Sequence, residues 1–208
     1  MGSKIVFAAT AAAALIALSA CSTAPTTPAP ASEAKKEEAK APEAVVARTA
    51  YFEMYKPARA WATDLMALTL TSGEVKGVKN SEGKAGLWKA VFVSPSLKEA
   101  RTFTWAADNS GDDIRKGIDV GDKQNWGGAT PAAKAFVNAE FHVDSDAAYK
   151  VAVVAAAGWL KTHPGVTPTF LLGNSARFPG PVWYIMFGTP KDGFAAYVNA
   201  TTGDLITR

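Results

Sequence analysis

Hydrophobic and polar positions divide the chain into three stretches. Residues 5–20 form a continuous run of apolar and small residues behind a single charge, Lys4. Residues 22–41 read STAPTTPAPASEAKKEEAKA and hold no large apolar side chain. From about residue 43 onward, apolar positions recur with the periods of regular structure, near 3.6 for helices and 2 for strands.

The third stretch predicts two runs of elements. In the first, a helix covers about Glu43 to Tyr55, and Pro57 opens a second short helix that reaches Ala62. A strand follows at Leu65–Thr71, with Met66, Leu68 and Leu70 alternating against Ala67, Thr69 and Thr71. A Gly/Lys-rich loop, Ser72–Gly86, leads to strands at Leu87–Val93 and Ala100–Ala106, the latter with Phe103 and Trp105 on one face. Asp113–Val120 closes the run with Ile114, Ile118 and Val120 together. In the second run, Ala148, Val151, Ala152, Ala155 and Trp159 mark one face of a helix over Ser145–Thr162. Asp144 or Ser145 caps its start, and Pro164-Gly165 ends it. Strands follow at Thr167–Leu172, Val182–Gly188 and Phe194–Ala200, with a last short one at Leu205–Thr207.

The two runs carry a repeat. Trp88-Lys-Ala-Val-Phe92-Val-Ser94-Pro95 aligns without gaps on Trp183-Tyr-Ile-Met-Phe187-Gly-Thr189-Pro190. The predicted fold class is therefore α+β: two tandem units, 43–143 and 144–208, each a helix packed on an antiparallel meander. A small sheet needs such a cover for its apolar face.

Two resemblances attach to particular residues. The start of the chain has the layout of a secretory signal peptide, too short at about 16 apolar residues to serve as a spanning helix of ~20. Its end, Leu18-Ser19-Ala20-Cys21, resembles a bacterial lipobox. That resemblance implies cleavage before Cys21 and acylation of its thiol and new amine, with residues 1–20 removed. It also implies attachment to a membrane, since two or three acyl chains hold where one binds reversibly. Residues 21–42 then serve as a flexible tether. Ser22 after the cysteine implies outer-membrane sorting, on the periplasmic face. The second resemblance rests on the helix opened by Asp146-Ala147-Ala148-Tyr149, on Pro181-Val182-Trp183-Tyr184-Ile185, and on Tyr197-Val198-Asn199-Ala200-Thr201-Thr202-Gly203. This order over 144–208 resembles a PepSY domain, a non-catalytic unit of envelope proteins. The resemblance implies a core role for Trp183 and a positive-φ turn at Gly203.

Composition narrows the chemistry. A single cysteine among 208 residues excludes an internal disulfide and a four-thiolate metal site. The net charge of +3 falls to +2 once Lys4 leaves with the signal, without a basic run that nucleic acid would demand. His142 and His163 share no metal-ligand spacing, and the Asp112, Asp113, Asp119, Asp122 cluster lacks calcium-loop spacing. No nucleophile motif stands in the chain, so no enzyme activity and no cofactor is expected. The expected function is non-catalytic binding of an envelope protein or peptide, with strand addition at a sheet edge as one route. The alternative is a small-molecule or glycan site between the halves, walled by tryptophans. Its candidate contacts are Trp126, in a Gly-rich loop, and Trp88, Trp105 and Trp183.

Overall fold

The computed structural model describes residues 41–207. Cys21, the lipobox residues Leu18, Ser19 and Ala20, and most of the tether lie outside the described residues.

The alternating segments pair as the period of two requires. β2 (Met66–Gly73), β4 (Leu87–Ser94), β5 (Glu99–Ala106) and β6 (Gly117–Asn125) form one antiparallel run. β7 (Thr169–Gly173), β8 (Val182–Phe187) and β9 (Phe194–Asn199) form another. β2 pairs antiparallel with β7, so both runs join in one seven-stranded sheet of order β6-β5-β4-β2-β7-β8-β9. Each run climbs outward from that central seam. A separate two-stranded ribbon pairs β1 (Val45–Val46) with β3 (Lys84–Ala85).

The helices lie on one face. Register places Phe103, Ala90, Leu70, Leu172, Trp183 and Val198 in one transverse row. All six are buried in the same core cluster as α1 (Ala47–Trp61) and α2 (Ser145–Ala155). Tyr51 of α1 is fully buried among Phe92 and Phe141. α2 inserts small side chains, Ala148 and Ala152, and Ala156 just beyond its end continues that face at the i, i+4 spacing. The predicted helix breaks at Ala156 and resumes as α3 (Ala157–Leu160). The core face there is Ala148–Ala152–Ala156, and Ala155 is only half-buried.

The N-termini of the two long helices share their caps. Val46, the residue before α1, has no side chain that can accept a hydrogen bond. The amide of Ala47 instead donates to Ser145 Oγ at 2.9 Å, and that of Arg48 to Asp144 Oδ1 at 3.0 Å. Asp144 Oδ1 also accepts from the amide of Ser145 at 2.7 Å, capping α2. Burial pushes the Asp144 carboxyl up, against the lowering by these two amides. A matching pair of indole bonds sits below. Trp88 Nε1 donates to the carbonyl of Val45, two residues before α1, at 2.9 Å. Trp183 Nε1 donates to the carbonyl of Val143, two residues before α2, at 2.8 Å.

Other points also differ from the sequence reading: α1 starts at Ala47 and not at Glu43, because Val45 and Val46 pair with Ala85 and Lys84 as a strand. Pro57 does not start a new helix; α1 runs through it, because Ala47, Ala50, Tyr51, Met54 and Ala58 are one buried face on both sides. In β2 a bulge at Leu68 shifts the phase: Ala67 and Leu70 face the core, whereas Leu68 is displaced from it. The final strand of the first run starts at Gly117, since Ser110 and Ile114 close a turn before it. Ile114 therefore packs with Val75, Val78 and Leu87, away from Ile118 and Val120. The chain's last predicted strand contributes a single bridge, Val198 to Leu205.

Candidate binding cleft

The sheet's second face carries no helix among the described residues. Its central row runs Asp119, Thr104, Lys89, Thr71, Leu171, Tyr184, Tyr197. Within this row the β6, β5, β4 and β2 positions are polar, whereas the β7, β8 and β9 positions are apolar and aromatic. Leu171 is 37% exposed there.

A cleft of about 330 Å³ opens on this aromatic side. Its floor is Gly173, and its walls include Leu68, Leu171, Val182, Tyr184 and Tyr197. Leu68 reaches it through the β2 bulge. Phe178, in the loop after β7, and Ala132 and Ala133, before α2, complete the rim. The two rim segments are tied by backbone bonds, Lys134 N–H to Asn174 O at 2.9 Å and Ala176 N–H to Pro131 O at 2.8 Å. Phe136 adds a reciprocal pair with Ala67 at 2.8 and 2.9 Å. The rims are thus fixed to the sheet. Tilted rings pack along the wall: Tyr184 with Tyr197 at 5.3 Å and 44°, and Phe178 with Tyr197 at 5.7 Å and 40°. The Arg177 guanidinium lies over Phe178 at 5.3 Å and Tyr197 at 5.8 Å. A concave apolar surface with a few polar groups, here Thr69, Asn174 and Ser175, suits ligand binding.

None of the tryptophans proposed from sequence lines this cleft. Trp88 and Trp183 are fully buried, 6.4 Å apart between ring centroids, and committed to the indole bonds above. They cannot touch a ligand in this structure, so the geometry gives them a packing role. Trp105 is half-buried against the core. Trp126 is half-buried just after β6, where its amide bonds the carbonyl of Lys98 at 2.9 Å. Gly203 sits in the turn after β9 with φ +84°, its amide bonded to Asn199 O at 2.9 Å. His163 stacks on Trp159 at 3.9 Å, and His142 is exposed. Among the described residues no three acidic, histidine or cysteine side chains gather as a metal site.

The cleft residues carry a signal that sequence reading passed over. Tyr184 and Tyr197 occupy the outward positions beside Trp183 and Val198, where a solvated face ordinarily places polar groups. Arg177-Phe178 stands in a turn-rich stretch, Gly173-Asn-Ser-Ala-Arg-Phe-Pro-Gly-Pro181, as Trp126 does in its own.

No protein-family model matches the chain, and no curated protein matches it. One solved structure, a chain from Clostridium difficile 630 provisionally termed a lipoprotein, is similar in outline. The two are 9% identical, with a TM-score of 0.44 over 76% of this chain and 90% of that one. The likeness is of outline alone, and no function is taken from it.

Proposed function

We propose that this chain is a lipid-anchored envelope protein that binds a peptide segment of a partner, without catalysis, on the helix-free face of its sheet. The cleft around Gly173 is the observation that carries the reading: fixed rims, aromatic walls and an exposed Leu171 stand where a sheet face could simply have been polar. Attachment rests on Leu18-Ser19-Ala20-Cys21, with acyl chains on Cys21 and residues 22–42 as the spacer. Among the described residues no helix is long and apolar enough to cross a membrane. Placement on the periplasmic face of the outer membrane rests on Ser22.

The two halves are read as copies of one unit, the second resembling a PepSY domain. The paired indole bonds support this, each indole reaching the carbonyl two residues ahead of its half's helix. A glycan or small-molecule site walled by tryptophans is the weaker reading, because Trp88 and Trp183 are buried.

Two experiments test the proposal. Labelling with a radioactive fatty acid marks the wild-type chain and not Cys21→Ala; equal labelling of both would refute the anchor. A photo-crosslinking amino acid in place of Leu171 captures a discrete partner in cells. The same group in place of Val154, 77% exposed on α2, does not. Equal yields at both positions would refute the assignment of the face.

A further inference from the structure

We infer that the cleft is a receptor for a carboxylate carried beside a bulky apolar group, with Arg177 as the carboxylate's partner. The inference rests on the peptide-binding reading above and specifies its chemistry: the bound segment ends there, in a residue with a large apolar side chain.

Charge is the first argument. The twelve residues lining the cleft include no acid. The ionisable residues adjoining the lining residues at its rim, Lys134 beside Ala133 and Arg177 beside Phe178, are both cations. An anion entering here meets no opposing carboxylate from the walls.

The state of the guanidinium is the second. Arg48, Arg59 and Arg101 each give guanidinium N–H groups to a backbone carbonyl, of His142, Thr63 and Gly121 respectively. Arg177 instead has its guanidinium carbon 5.3 Å from the Phe178 ring and 5.8 Å from the Tyr197 ring, and among the described residues no acceptor meets its N–H groups. Ring contact places the group beside the cleft while its N–H donors stay open. Those donors form a rigid fork that matches the two oxygens of a carboxylate.

Shape is the third. The floor exists because Gly173 has no side chain; a Cβ built there would meet only the carbonyl oxygen of Leu68, at 3.9 Å. A volume of about 330 Å³ is near the small end for ligand sites. It suits one large side chain rather than a long ligand. A C-terminal residue supplies both groups at once, since its carboxylate and its side chain are borne on the same carbon.

Isothermal titration calorimetry on the whole protein tests this with three probes: acetyl-Ala-Ala-Ala-Phe as the free acid, the same peptide as its C-terminal amide, and 3-phenylpropionate. The acid binds about tenfold or more tighter than the amide, the size of a charge-assisted hydrogen bond. Arg177→Gln lowers the acid to the affinity of the amide and leaves the amide unchanged. Gly173→Val, whose Cβ would meet no atom beyond its chain neighbours nearer than the Leu68 carbonyl oxygen at 3.9 Å and whose methyl groups extend into the floor, abolishes binding of both peptides. Equal affinity for acid and amide overturns the inference. So does an acid preference that survives Arg177→Gln, or an acid that does not bind at all. If that failure accompanies successful crosslinking at Leu171, the inference falls and peptide binding on this face stands. If phenylpropionate matches the peptide acid, the carboxylate receptor stands and the peptide reading falls.

Discussion

Ser145→Ala should destabilise both halves of the fold together. Ser145 is fully buried, and its Oγ accepts the amide of Ala47, a first-turn donor of a helix 98 residues away in sequence. Alanine keeps the shape and removes only that oxygen. The amide is left without an acceptor in a place water does not reach, a loss of about 1–3 kcal/mol. Loss of a helix cap falls in the same range, at about 0.5–2 kcal/mol. Asp144 stays to cap α2, so the damage is at the start of α1. Urea unfolding followed by tryptophan fluorescence is the assay, because buried tryptophans lie in both halves, at 88 and 183. One transition shifted to lower urea, with its slope kept, is the expected result. Thr49→Ala, at an exposed position of α1, is the control and should change little. A shift worth under about 0.5 kcal/mol, on the scale of an ordinary surface substitution, would refute the shared cap. A split into two transitions would refute the coupling of the halves.

Three further outcomes follow from the same structure. Trp88→Phe and Trp183→Phe should cost similar amounts, about 1–3 kcal/mol each, since each strands one carbonyl; costs several-fold apart would count against the proposal that the halves are copies of one unit. Asp64 is held below the usual carboxylate range by the Ser94 hydroxyl and the Ser96 amide, and Glu99 by the Trp61 indole, with Lys123 adding to it. A carboxyl lowered by folding contributes stability that is present above its unfolded pKa of about 4 and lost as the pH falls through the folded value. Stability should therefore drop below about pH 4, and Asp64→Asn with Glu99→Gln should flatten that drop; unchanged acid sensitivity in the double variant would count against both contacts. Gly203→Ala should cost about 1 kcal/mol or more, because its φ of +84° penalises a Cβ; calorimetric melting that matches wild type would contradict the turn geometry.

The sequence made the strands legible where alternation was clean. Leu87–Ser94, Glu99–Ala106, Val182–Phe187 and Phe194–Asn199 fall within a residue of their predicted limits. Local rules failed where tertiary burial outweighed them. Pro57 reads as a helix start, yet the buried face of α1 continues through it. Met66, Leu68 and Leu70 read as one face, yet the bulge sends Leu68 toward the cleft. The cleft itself was not legible, because its walls come from three distant stretches: residues 68–69, 132–133 and 171–197. Tryptophan abundance drew attention to side chains that serve the core. The open aromatic face is built from tyrosines at outward strand positions, which period-two alternation identifies only once the covered face is known.

The most direct test of the central claim is amide chemical-shift mapping of the protein titrated with acetyl-Ala-Ala-Ala-Phe. Shifts concentrated at Leu68, Leu171, Gly173, Phe178 and Tyr197, with α1 and α2 unmoved, are the predicted result. Shifts on the helix face or along the β6 edge, or none at saturating peptide, would contradict it.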